Sequence, residues 1–398
     1  MGKILKGNLL YGQSGGPTSI INSSAYALFK EAFKHEEINH VYALHYGIKG
    51  LLENKYYEIF DDEKLEKLLN TPGAFCGSNR YKLESPNNKN DEEYRKILEF
   101  FKEHNIKYFF YNGGNDSMDT INKIAIFLEK NNYECRCIGI NKTIDNDLAE
   151  TDFSLGYASA AKFIINACLE IYLDDHSYEE GRINIVEVMG RDTGWLAASA
   201  KLLELKGIRA DFIFVPENPF DLNSFLEKIN AIYKKNKHAL VVLSEGIKTK
   251  DGKFINEINE SLDAFGHFQL GGAAILLTEL IKEKLGYKTR YYELSLLQRA
   301  NSMMISKKEQ EIAFEISKFA LNKALEGENR KVVILKRTNS EPYTYTLNLI
   351  DISKMANVIV YLDKKYIDFE NGYINDNFIS YLSPLIDGEE GILDIYKY

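Results

Sequence analysis

The sequence predicts an α/β protein of two similar Rossmann-like lobes with largely parallel sheets. Three observations predict it. The chain has 398 residues, too many for one small core, so two lobes are the natural division. Its strand-like segments are short continuous apolar runs rather than alternating ones, the pattern of strands covered on both faces. The runs break at Gly-, Asn- or Asp-rich clusters and give way to helical patterns, the order of a doubly wound parallel sheet.

The elements follow in order. Residues 8–11 run into Gly12, Gln13, Ser14, Gly15 and Gly16, then a helical stretch to about residue 34. Residues 107–111 run into Asn112, Gly113, Gly114, Asn115, Asp116 and Ser117, with a helix over 118–130. Residues 135–140 lead into Asn141, Lys142, Thr143, Ile144, Asp145, Asn146 and Asp147. Residues 183–188 lead into Met189, Gly190 and Arg191, with a helix over 196–205, and residues 239–243 lead into Ser244, Glu245 and Gly246. Residues 332–336 and 358–362 read as short strands without chemistry of their own. In doubly wound sheets the loops at the carboxyl ends of strands form the ligand crevice. All five clusters lie at that end, which predicts an enzyme with its active site in a cleft between the lobes.

Composition narrows the class. With 49 Lys+Arg against 58 Asp+Glu the net charge is -9, which argues against nucleic-acid or membrane partners. Positive charge for phosphate chemistry must therefore be gathered locally. No apolar segment approaches the roughly 20 residues of a membrane helix, and the amino terminus does not read as a signal peptide. Cys76, Cys135, Cys137 and Cys168 show no paired metal spacing, so a reduced, cytoplasmic protein is expected.

The clusters suggest phosphate chemistry. A turn such as 12–16 lets backbone N–H groups and a helix amino terminus approach a phosphate; a tight turn without a ligand is an equal reading. No Gly-Lys-Ser/Thr follows, so it is not a Walker loop. Asp116 suits a metal held against phosphate oxygens, while Ser117 reads readily as a helix cap. Two acids and an amide over 145–147, after a buried strand, are costly unless something positive or hydroxylic meets them. One carboxylate there can take the proton of an attacking hydroxyl while another supports a metal. An Asx-type turn is the structural alternative, and Lys142 just before the acids favours the phosphate reading. Arg182 and Arg191 bracket the run 183–188, Arg290 and Arg299 share their spacing, and Arg80 and Lys82 follow Gly77, Ser78 and Asn79. Such arginines suit a phosphate clamp, and Glu245 suits sugar hydroxyls or a salt bridge.

In this order the motifs resemble the phosphofructokinase family, from Gly12 to Arg299. The run 142–147 and the segment Glu187, Val188, Met189, Gly190, Arg191 carry most of the likeness. The resemblance implies a donor-binding lobe of residues 1–155 with 298–345 and a sugar-phosphate lobe of 156–297 with 346–398. It implies phosphoryl transfer to the 1-hydroxyl of fructose 6-phosphate with Mg²⁺. Asp145 is then the general base, with Thr143, Ile144 and Asp147 beside it. Met189, Gly190, Arg191, Glu245 and Gln298 meet the sugar, Arg299 meets its 6-phosphate, and Gly15, Gly16 and Arg80 serve the donor. Arg182 and Arg290 match arginines that reach in from a neighbouring subunit, which implies a homo-oligomer, at least a dimer.

Two positions bear on the donor. ATP-using members carry Gly where Asp116 and Lys142 stand. Asp116 adds bulk and negative charge where an α-phosphate would lie, and Lys142 offers a cation to a small, highly charged donor. The pair is the pattern of diphosphate-dependent members, so the expected reaction is reversible transfer from inorganic diphosphate. The alternatives are an ATP-dependent 6-phosphofructokinase, a diphosphate-dependent kinase of another sugar phosphate such as sedoheptulose 7-phosphate, and a metabolite-binding sensor paralogue. The last has no use for Asp145. Asn115 stands where many members have a metal-binding Asp, so Asp116, Asn115 and Asp147 form the expected metal set. Leu296 replaces a His of ATP-using members. Tyr26 replaces an Arg of nucleotide-regulated ones while Lys30 keeps a second charge, so weak or absent nucleotide regulation is expected.

Overall fold

The computed structural model describes residues 4–86, 91–256 and 272–396. The chain divides into two compact units, Met1–Gly156 with Arg299–Ile359, and Tyr157–Gln298 with Val360–Tyr398. The first unit opens with β1 (Gly7–Gln13), α1 (Ile20–Ala32), β2 (Ile38–Leu44), α2 (Gly47–Leu52) and β3 (Tyr56–Ile59). It continues with α3 (Asp91–Glu103), β4 (Ile106–Gly113), α4 (Asn115–Lys130), β5 (Arg136–Thr143) and β6 (Leu155–Gly156). The second unit contains α5 (Tyr157–Asp175), β7 (Ile183–Val188), α6 (Trp195–Ala198), β8 (Phe212–Phe214), α7 (Leu222–Asn236), β9 (Ala239–Ser244), α8 (Ala273–Leu285) and β10 (Thr289–Glu293). Through α9 (Leu297–Ala300) the chain returns to the first unit, adding α10 (Lys307–Leu325), β11 (Lys331–Ser340) and β12 (Tyr343–Asp351). It ends in the second with β13 (Ile367–Asp368), β14 (Tyr373–Ile374) and α11 (Asn377–Leu382).

The first sheet has the order β12-β11-β5-β4-β1-β2-β3, with β6 beside β5. Its centre is parallel, and antiparallel β3 and β12 close the two edges. The second sheet, β10-β7-β9-β8, is parallel throughout. Strands β1, β7 and β9 are buried along their whole length, which is why their sequences are continuous apolar runs. In the first unit Phe109 of β4 meets Phe101 of α3 edge-on, centroids 5.3 Å apart. Each such ring stabilises the core by roughly 1.5–3 kcal/mol through its burial. Phe212, Phe214, Phe220 and Phe225 pack together in the core of the second unit.

Three expectations need correction. Residues 358–362 form no strand: Ile359 makes a single bridge to Leu148, and Val358, Val360 and Tyr361 are largely exposed. The expected division at 345 falls inside β12, which pairs with β11 from Lys331↔Asp351 to Ser340↔Tyr343. That ladder holds the chain to Asp351 in the first unit, which extends to Ile359. The helix expected over 196–205 is one α turn, α6, followed by a 3₁₀ segment, Ser199–Lys206.

Register positions the chemistry. In the first unit Gln13 of β1 pairs with Asn112 of β4, and Gly113 of β4 with Asn141 of β5. The loops after these three neighbouring strands therefore emerge side by side. In the second unit Val188 of β7 pairs with Ser244 of β9, which sets Met189 beside Glu245.

Candidate active site

In the first unit the glycine-rich turn after β1 is tied to both neighbouring loops. Ser14 Oγ lies 2.6 Å from Ser117 Oγ in the first turn of α4. Ser78 Oγ donates to Gly15 O at 2.5 Å, and Gln13 Nε2 donates to Gly77 O at 3.1 Å. These bonds hold the loop that carries Arg80 against the turn. Gly15 has φ +84, a left-handed conformation that glycine adopts without strain. Arg80, Lys82 and Asp116 are exposed.

Lys142 is 2% exposed. Its Nζ donates to Ser14 O at 3.0 Å and to Gly16 O at 2.9 Å, stapling the end of β5 to the turn. Burial lowers its pKa from the ordinary 10.5 to about 7, with the Arg299 guanidinium adding to the fall and the Asp145 carboxylate opposing it. Arg299 stands with this donor-side cluster: a Cβ on Gly16 would lie 2.9 Å from its Nη1. The resemblance assigned it to the acceptor's 6-phosphate.

Beyond β5 the backbone turns sharply at Asn146, φ 55, whose side chain accepts from Ser154 N at 2.8 Å. This long-range brace to Ser154 fixes the turn that presents its two acidic neighbours. Asp145 N donates to Thr143 Oγ1 at 3.2 Å, and Thr143 Oγ1 lies 3.4 Å from Asp145 Oδ2, so the threonine orients the carboxylate. Ile144 is buried, its methyl carbon packed near Gly156, so it lines a site through its backbone.

Asn115 tests the metal set. With its amide nitrogen toward Met355 O and Val358 O, both bonds are 2.9 Å. Its oxygen then faces Asp147 Oδ2, 3.3 Å away. Two oxygens so close repel unless a cation lies between them, and ligands of an octahedral divalent ion stand about 3 Å apart. Asn115 and Asp147 therefore fit a divalent metal. The same arrangement explains an amide where the resemblance leads one to expect a carboxylate, because a carboxylate cannot donate to two carbonyls.

In the second unit, Gly190 N donates to Glu245 Oε1 at 3.3 Å, Met189 N to Gln298 Oε1 at 3.2 Å, and Ser244 Oγ to Gly190 O. Gly190 has φ +130, so the loop depends on glycine there. Gly246 was not singled out for a role by sequence: a Cβ at this position would stand 2.8 Å from Arg191 Cα. Glu187 belongs to the segment 187–191 that carries the resemblance, which assigns it no role. It is buried and accepts from Gly272 N at 3.1 Å and Ala274 N at 2.8 Å, so it anchors the start of α8, and burial raises its pKa.

Arg182 and Arg290 stand at the other end of the second sheet. Arg182 N donates to Asp175 Oδ1 at 3.0 Å, with Nε 3.5 Å from the same oxygen. Arg290 is exposed and pairs with Asn184 near the start of β7. Seven extended residues at ~3.3 Å each put Arg182 roughly 23 Å from Met189. Arg182 and Met189 cannot grip one small sugar phosphate within a single chain.

The chain is similar to known proteins along nearly its whole length. Residues 8–308 match the phosphofructokinase family. The pyrophosphate–fructose 6-phosphate 1-phosphotransferase of Halomonas elongata is 37% identical over 389 residues, which cover 96% of this chain and 92% of that protein. The crystal structure of pyrophosphate-dependent phosphofructokinase from Nitrosospira multiformis aligns with a TM-score of 0.85 and 34% identity, over 96% of this chain and 92% of that one. The enzyme from Marinobacter aquaeolei aligns at 0.84 and 34%, over 96% and 91%. Since the family match takes in every strand-end cluster from Gly12 to Gly246 together with Arg299, the chain belongs to the phosphofructokinase family.

Proposed function

We propose that the protein transfers a phosphoryl group reversibly from inorganic diphosphate to the 1-hydroxyl of fructose 6-phosphate, giving fructose 1,6-bisphosphate and phosphate. The observation that carries this is the buried Lys142 ammonium under the glycine-rich turn. A fixed cation there suits a compact, highly charged donor. Asp116, in the first turn of α4, opposes the α-phosphate that a nucleotide would bring. The relatives above are named for the same donor and acceptor.

Asp145, oriented by Thr143, takes the proton of the attacking hydroxyl. Gly15, Gly16, Arg80 and Lys142 hold the diphosphate, and Arg299, beside Gly16, meets the phosphoryl group in transit. Asn115, Asp116 and Asp147 would hold Mg²⁺, which would supply positive charge against the donor's phosphate oxygens. Met189, Gly190, Arg191, Glu245 and Gln298 orient the sugar. Arg182 and Arg290, at the far end of their sheet, serve the 6-phosphate in a neighbouring subunit, which makes the working form at least a dimer. We place the enzyme in the cytoplasm, since its four cysteines are buried and unpaired, as suits a reducing compartment; no helix among the described residues is long and apolar enough to cross a membrane.

A donor-and-acceptor assay on the purified protein tests the reading. Turnover with diphosphate and fructose 6-phosphate, exceeding that with ATP or with sedoheptulose 7-phosphate, is expected. Efficient turnover with ATP and none with diphosphate would refute it.

A further inference from the structure

The proposed function, on which this inference rests, asks Lys142 only for charge; the surroundings of its Nζ equip it for more. Two of the three ammonium N–H groups are committed, to Ser14 O at 3.0 Å and Gly16 O at 2.9 Å. A neutral amine keeps two N–H groups and gains a lone pair. Both carbonyls thus stay satisfied in either protonation state, and the third proton is the one that can leave without breaking the clamp. Gly15 lies between the two accepting residues, and a Cβ there would come within 3.3 Å of Nζ. With no side chain on Gly15, that residue places no carbon against this flank of the ammonium. Two charged groups face the amine, Arg299 from α9 and Asp145 from beyond β5. With burial they bring its proton affinity to about 7, where a group gives and takes protons readily near neutral pH.

Diphosphate and nucleotide donors leave differently. When the bridging P–O bond of diphosphate breaks, the electron pair stays on what becomes inorganic phosphate. Without a proton this is a trianion, far more basic than the phosphate present at neutral pH. A nucleoside triphosphate leaves instead a nucleoside diphosphate, whose terminal phosphate is stable unprotonated. The diphosphate reaction therefore needs a proton at the leaving oxygen, and the nucleotide reaction does not.

We propose that Lys142 is the general acid that supplies this proton. As the bond from the sugar oxygen to the transferred phosphorus forms and the bridging P–O bond breaks, one Nζ–H passes to the bridging oxygen. Phosphate leaves as the dianion, and Lys142 remains as a neutral amine held by Ser14 and Gly16. The hydroxyl proton has meanwhile gone to Asp145, and its return to Lys142 through solvent resets the pair with no co-reactant. In reverse, the neutral amine takes the proton of the incoming phosphate.

Lys142→Arg tests this, because arginine keeps the cation but does not give up its proton in proteins. Diphosphate affinity in the presence of Mg²⁺, measured by calorimetry, should stay within about tenfold, while turnover falls ~10²–10⁴-fold. The loss of kcat/KM for diphosphate as pH rises through about 7 should vanish with it. An arginine variant that turns over within about tenfold of the parent, or that keeps the alkaline limb, overturns the proposal and leaves Lys142 a fixed charge. Should arginine not be accommodated, Lys142→Ala supplied with small primary amines gives the second reading. Rescue that varies with the acidity of the amine supports proton donation, and rescue indifferent to it refutes it. Failure of the unmodified enzyme to use diphosphate would instead refute the proposed function, and that assay comes first.

Discussion

Gly246→Ala perturbs the proposed sugar site without removing any polar group. The new Cβ would stand 2.8 Å from Arg191 Cα, and closer still to the Arg191 carbonyl. Unstrained carbon atoms sit at about 3.5–4.0 Å, so the Arg191 backbone must retreat by at least about 0.7 Å and the carbonyl by more. Gly190, one residue earlier, is held through its N–H by Glu245 and through its carbonyl by Ser244, so the loop cannot shift as a body. The displacement therefore falls on Arg191 and Glu245. A misplacement of order 1 Å costs about 10²-fold in rate. The assay is steady-state kinetics with fructose 6-phosphate varied, beside calorimetric diphosphate binding and a thermal melt. Expected are kcat/KM for the sugar phosphate lower by about two orders of magnitude, unchanged diphosphate binding and a folded protein. A variant with parental kcat and KM would refute the reasoning, since it would mean the loop yields freely.

Asp145→Asn should cut turnover by at least ~10²-fold with sugar-phosphate binding retained; near-normal turnover would remove Asp145 as the base. Lys142 has a folded pKa of about 7 against an ordinary 10.5, so the unfolded chain binds more protons between those values and stability rises with pH across that window. The cost of burying the ammonium is full below about 7, so parental Tm should gain on Lys142→Met as pH is raised from neutral; parallel curves would contradict the burial. Asn115→Asp loses the donor to Met355 O and Val358 O and should destabilise by ~1–3 kcal/mol in urea melts; unchanged stability would mean the amide does not hold that turn.

The five strand-end clusters were legible because a strand buried on both faces leaves an unbroken apolar run, and its end is marked by the first polar residue that reaches a loop. The run 135–140 became β5, which extends to Thr143. What stayed hidden depends on contacts distant in sequence. Residues 358–362 have strand-like composition, but the edge beyond β11 is already occupied by β12, and composition does not register an edge already taken. The amide at Asn115 looked like a weakened metal ligand; its reason lies with carbonyls of Met355 and Val358. The resemblance matched Arg299 to the acceptor's 6-phosphate; that its Nη1 also stands by Gly16, 2.9 Å from where a Cβ would lie, is a contact distant in sequence. The role of Gly246 came from a close approach to Arg191, invisible where glycine is only punctuation after a strand.

The order of synthesis follows from where the second unit is spliced into the first. Strand β5 must wait for β11, and between them the ribosome makes all of Tyr157–Gln298. A nascent chain therefore carries a hydrophobic strand with one open edge throughout that interval, an invitation to misassociate. A chain halted after Gln298 should collect in the insoluble fraction, whereas the full chain, which supplies β11 and the last segment of the second unit, should stay soluble. Evolution can thus lengthen loops of the inserted unit only by prolonging the exposure of its host.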